Sequence, residues 1–143
     1  MSFAIAYEMR ADWAKALQQL DRVEPKKPQQ RVLVDTLRIG ALVELGDVAK
    51  ARAVLDAMPL SKINPRLDAQ LTLSAALAKG KVLAFEGQHA DALVVLDKVI
   101  ADVRTGQWTR ALANHYAARA AGEPEAAAYR VAAAKLAPTA WFV

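Results

Sequence analysis

Two histidines, His89 and His115, are the side chains of this 143-residue chain that would titrate near neutral pH without help. They are therefore the first candidates for acid–base or metal chemistry. Their surroundings in the sequence do not support either role. No carboxylate stands at helical ligand spacing from His115. His89 and Asp91 flank a helix start, where capping and solvent exposure account for both. Glu123 and Glu125 form an acidic pair at another helix start, placed to complement the positive end of the helix dipole. The chain has no Cys, which removes thiol nucleophiles, thiolate metal sites and disulfides together. There is no Gly-rich phosphate loop and no Ser-nucleophile context. The expectation is a protein that is not an enzyme and uses no metal or cofactor.

Charge gives an equally bland reading. The net charge is +4, from 19 basic and 15 acidic residues. The one local basic cluster, Lys26, Lys27 and Arg31, is interrupted by Pro28 and lacks the interleaved aromatics of a nucleic-acid interface. Nucleic acid is not an expected partner. The N-terminal residues 1–13 lack a basic lead, have too short an apolar run for a secretory signal, and carry Glu8. No apolar run approaches the ~20 residues that span a bilayer. A soluble, cytoplasmic protein without membrane insertion is expected.

The elements that must position any site are helices. The apolar fraction is 55%, much of it Ala, while aromatics make up only 6%. That composition favours helices that approach closely over small side chains. Apolar residues recur at three- and four-residue steps, and no segment alternates like a strand. The spacing predicts helices over 2–10, 12–23, 29–45 and 47–58. It predicts further helices from 66 or 67 to 85, over 88–103, over 108–121, and from 123 until Pro138 stops the last. Asp12 is the expected N-cap of the second. Gly80 lies inside the fifth, where it costs roughly 1 kcal/mol relative to Ala, so a close contact with the following helix is expected there.

The helices pair into hairpins with a repeating register. Aligned on the turn residues Ala11, Gly46, Gly87 and Gly122, each hairpin has Ala five residues on, at Ala16, Ala51, Ala92 and Ala127. Four residues further stand Leu20, Leu55, Leu96 and Val131, and seven before the turn come Ala4, Ile39, Gly80 and His115. An Ala at a helix crossing lets two backbones close to ~8 Å, and the larger aliphatic fills the space one turn later. A single hairpin cannot bury both faces, so such units must stack.

This pattern resembles the tetratricopeptide repeat family, whose unit is ~34 residues. Gly80, Leu83, Gly87, Ala92 and Leu96 match it best, followed by Ile39, Leu42, Gly46, Ala51 and Leu55. Asp35 and Arg38 stand where the family has an early Trp and Leu. The resemblance covers nearly the whole chain. It implies an all-α, right-handed superhelix of about four hairpins, forming one domain over 1–143 with repeats at about 1–28, 29–65, 66–106 and 107–143. It also implies that the first helices of successive repeats line a concave groove for a peptide or a partner helix. In this sequence the corresponding groove residues are Thr36, Gly40, Val43, Lys81, Phe85, Leu112, Tyr116 and Arg119, with Glu44 and Leu77 beside them.

This wall is more apolar than charged and lacks the paired Lys and Asn that clamp a carboxylate in some family members. An apolar or amphipathic segment of another protein is the expected ligand. Ordinary packing between repeats is the competing account of the same residues. Other functional readings are a sensor or oligomerisation module of a bacterial transcription regulator, and a secretion-type chaperone for an apolar segment. Trp141, Phe142 and Val143 follow the last helix. Three accounts of them are open: they fold back over the last hairpin, the end docks on a partner, or the chain is a module of something longer. Homo-oligomerisation through the chain ends is one form of docking.

Overall fold

The computed structural model describes residues 2–143, with side chains from Ala4 onward. The described residues form eight α-helices and no strands: α1 (Ser2–Met9), α2 (Trp13–Leu20), α3 (Pro28–Glu44), α4 (Val48–Asp56), α5 (Ala69–Phe85), α6 (His89–Ala101), α7 (Gln107–Ala120) and α8 (Glu125–Leu136). The chain is all-α, as expected. A single 3-10 turn, Leu60–Lys62, sits in the connection before α5. That connection is longer than expected, because Asn64 and Asp68 hold it with local hydrogen bonds and α5 begins only at Ala69. Pro28 opens α3 from inside its first turn instead of standing before it. No described helix is long and apolar enough to cross a membrane.

The first three hairpin turns are copies of one another. Ala11, Gly46 and Gly87 all take left-handed backbone, with φ of 58°, 86° and 79°. Each then closes the same pair of backbone hydrogen bonds. Ala11 N–H donates to the Glu8 carbonyl and Asp12 N–H to that of Tyr7, at 3.0 and 2.8 Å. Gly46 and Asp47 do the same to Val43 and Leu42, and Gly87 and Gln88 to Ala84 and Leu83. This is the 6→1 and 5→2 pattern that satisfies the last carbonyls of a helix. On the far side, Asp12 and Asp47 cap the next helix, each accepting from the backbone of the residue three along. Ala11 reaches this backbone without being glycine, which is why the sequence match is looser there.

Packing follows from those turns. Helices α1, α3, α5 and α7 lie side by side in one row, and α3, α5 and α7 each also pack on the second helix of the preceding hairpin. Every core cluster draws on three successive helices. Ala4, Leu20 and Val34 join α1, α2 and α3. Ile39, Leu42, Ala51, Leu55 and Val82 join α3, α4 and α5. Leu83, Ala92, Leu96, Val99 and Tyr116 join α5, α6 and α7. The predicted crossing residues Ala16, Ala51 and Ala92 have no exposed surface at all. Gly80 meets the predicted close contact: a Cβ there would lie 2.4 Å from Leu96 Cδ2.

The fourth hairpin departs from the expected register. Gly122 is not left-handed, and α7 instead ends in an extended Ala121 with ψ of 145°. The second helix therefore enters with a different rotation about its axis. Ala126 is buried at 3% exposure, whereas Ala127 faces solvent and Val131 is 55% exposed. The inward stripe of α8 is Ala126, Tyr129 and Ala133, so the assignment of Ala127, Val131 and Gly122 to the repeat is corrected here. The side chain of Phe3, predicted to be buried, lies outside the described residues.

Three substitutions check this packing. Gly80→Ala should destabilise by about 1–3 kcal/mol despite its better helix propensity, because its methyl collides with Leu96. Ala126→Leu should cost a similar amount, while Ala127→Leu stays within about 0.5 kcal/mol of the parent. Urea denaturation followed by circular dichroism measures all three.

Candidate functional site

The row of first helices presents one position in four copies. Six residues before each turn residue stand Ile5, Gly40, Lys81 and Tyr116. All four line a single pocket of about 190 Å³, so the row curves around it. An adjoining pocket of about 120 Å³ lies further along the same helices. It is lined by the next two registers, Thr36, Leu77 and Leu112 with Leu33, Ser74 and Thr109. Glu8, Leu37, Lys81, Trp108 and Leu112 belong to both pockets and join them into one inner face.

Polar atoms gather on this face around Gly40. The Cβ that Gly40 lacks would sit 3.3 Å from Lys81 Nζ and 3.6 Å from Glu8 Oε1. The ammonium and the carboxylate thus both lie against the α3 backbone at a glycine, where a methyl would be tight against the ammonium. Lys81 retains 9% exposure, and its Nζ stands 5.0 Å from the centroid of the Tyr116 ring. No carboxylate oxygen of the described residues comes within 4 Å of that nitrogen. Glu8 Oε1 is buried without a hydrogen-bond partner. The Tyr116 hydroxyl donates to Glu44 Oε1 at 2.6 Å, tying α7 to the end of α3 across 72 residues of sequence. Burial pushes the Glu8 carboxyl up to about 7 against the opposing pull of Lys81. Burial likewise draws the Lys81 ammonium down, although Glu8 and Glu44 favour its charge. Tyr116 is pushed up by burial first and then by Glu44.

The remaining wall is aromatic and comes partly from the C-terminal segment. That segment folds back over the last hairpin, one of the arrangements expected for it, and reaches the inner face through Trp141. Trp141 meets Trp13 edge-on at 5.1 Å and His115 at 5.3 Å, while Phe142 stacks on His115 at 4.9 Å and lies 5.6 Å from Trp108. His115 is held in this cluster with its pKa drawn down to about 4, by burial first and then by Lys81 and Arg119. It packs as an aromatic ring and is neutral at physiological pH.

Of the groove residues predicted from the resemblance, Thr36, Gly40, Lys81, Leu112 and Tyr116 line this face. Val43 does not. It is fully buried in the core between α3, α4 and α5, because its position on α3 turns toward α4. Phe85 and Arg119 pair with each other, the guanidinium 3.9 Å over the ring, and Phe85 bridges two core clusters. Packing is the better account of Val43 and Phe85, while Arg119 is exposed and lines neither pocket. Sequence reasoning passed over Glu8, Trp13, Trp108 and Trp141. Ile5 could have been found, since it shares the register of Gly40, Lys81 and Tyr116.

The buried carboxyl makes stability depend on pH. Glu8 binds its proton more tightly in the folded chain, where its pKa is about 7, than at its ordinary 4.5. The stability this proton contributes is complete below about pH 4.5 and is lost as pH rises through 7. Glu8→Gln cannot charge, so it should gain on the parent between pH 5 and 8, by up to about 3 kcal/mol. Lys81 loses the field of Glu8 in that variant but keeps that of Glu44. Denaturation midpoints of both proteins across that range measure the gain, and parallel curves would mean that Glu8 is not buried. No family model, curated protein or solved structure matches this chain.

Proposed function

We propose that the chain is a tetratricopeptide-like scaffold, a right-handed superhelix of about four hairpins that works by binding. Its ligand is an apolar or amphipathic segment of another protein, taken along the inner face. The observation that carries this reading is the fourfold register: Ile5, Gly40, Lys81 and Tyr116, one from each first helix, converge on one pocket. Core packing alone does not require equivalent positions to surround open space. The lining is dominated by Trp13, Trp108, Trp141, Leu37, Leu112 and Met9, which suits apolar side chains of a partner. The same lining is what a chaperone for an apolar segment would present, and that is the narrower form of this reading.

Leu112 is the residue to change, because it is half-buried and belongs to both pockets. In a fluorescence-anisotropy screen of a decapeptide library, the parent should select sequences with two or more large apolar residues. Leu112→Glu should weaken those hits at least tenfold while its melting temperature stays within a few degrees. A parent protein that selects no decapeptide would remove the proposal.

A further inference from the structure

We propose that the pocket at Gly40 is a subsite for a bulky apolar residue together with its uncharged main-chain amide, the amide carbonyl accepting from Lys81 and the amide N–H donating to Glu8. This rests on the reading of the inner face as a peptide groove and names the group that the groove recognises. Two polar atoms carry it, one of them buried and unmet. Lys81 is nine-tenths buried and its Nζ has no carboxylate within 4 Å among the described residues, while Glu8 Oε1 is buried without a partner. Both lie against Gly40, where a Cβ would stand 3.3 Å from the one and 3.6 Å from the other, and all three residues line the same pocket. A buried acceptor costs free energy until it is met, and the largely buried ammonium beside it is a donor free to share a ligand with it.

Charge selects the group that meets them. A cation would be drawn to the aromatic wall and to Glu8, but it would face the Lys81 ammonium, which already occupies the face of Tyr116. An anion would be drawn to Lys81 but would face the carboxylates of Glu8 and Glu44, both close enough to act on that ammonium. A neutral group holding one acceptor and one donor satisfies both atoms without either repulsion, and the peptide amide is that group. Trp13 and Trp108 offer surface for the apolar side chain. Trp141 closes the pocket from the C-terminal segment, edge-on to Trp13, and so forms part of the wall.

Three probes with one skeleton test the assignment: 3-phenylpropanamide, 3-phenylpropanoate and 3-phenylpropylamine. Trp13, Trp108 and Trp141 report binding through their own fluorescence, since these probes do not absorb at the tryptophan excitation edge. The amide should bind about tenfold more tightly than the acid or the amine. That advantage should vanish in Lys81→Met and in Glu8→Leu. Gly40→Ala, which fills the space without removing either polar group, should also abolish it and serves if a charge variant fails to fold. Tightest binding of the acid, tightest binding of the amine, equal binding of all three, or no binding would each overturn the proposal. Decapeptides that bind the parent and Lys81→Met equally would remove this subsite and leave the wider groove standing. An amide preference in a protein that selects no decapeptide would remove the wider groove and leave a small-ligand pocket.

Discussion

Helices in this chain close on one another where a side chain is a methyl or is missing. At Gly80 the Leu96 side chain occupies the volume a Cβ would need. At Ala16, Ala51 and Ala92 a methyl group is fully enclosed between helices. Large aliphatics can fill the neighbouring space only because these contacts set the distance between axes. The left-handed turns serve the same constraint. They return the chain at a fixed angle, so each small residue arrives opposite its crossing helix. Where the turn changes, after α7, the buried stripe of the next helix moves from Ala127 to Ala126.

Gly40 applies the same device to a different end. Its neighbours are polar atoms, not an aliphatic, and they form a pair of ionisable groups in a largely apolar pocket. Burial works against the charge on both, raising Glu8 and lowering Lys81, while each favours the charge of the other. Such groups are costly to leave partly satisfied. Tyr116 joins them to the fold, holding Lys81 on its ring and Glu44 on its hydroxyl. The inner face therefore keeps one buried acceptor, Glu8 Oε1, without a partner, beside an ammonium that no carboxylate of the described residues reaches.

The sequence carried the helices and the hairpin register because both depend on local spacing. Gly46, Gly87 and the capping Asp12 are backbone requirements with few residue solutions, so they could be read directly. Gly40, Lys81 and Tyr116 were legible because the register repeats. Val43 was misplaced on the groove because one residue of helical rotation separates the inner face from the core. Ala127 was misplaced because Gly122 has the composition of the other turns without their conformation. Glu8 could not be found from sequence, since a carboxylate near a helix end is usually solvated; only the neighbouring helices bury it. Trp141 escaped for a similar reason, because its partner lies 128 positions away at Trp13.

That Trp13–Trp141 contact changes how the molecule can come apart. In a stack where each unit touches only its neighbours, the terminal units fray first and opening spreads inward. Here the last segment leans on the opening residue of α2, so the outermost hairpins are not independent ends. Loosening the N-terminal hairpin withdraws one side of the aromatic cluster that also holds His115 and Phe142. The contact thus ties the two ends of the chain to one another, as the clasp of a bracelet does, so that opening either end disturbs the other.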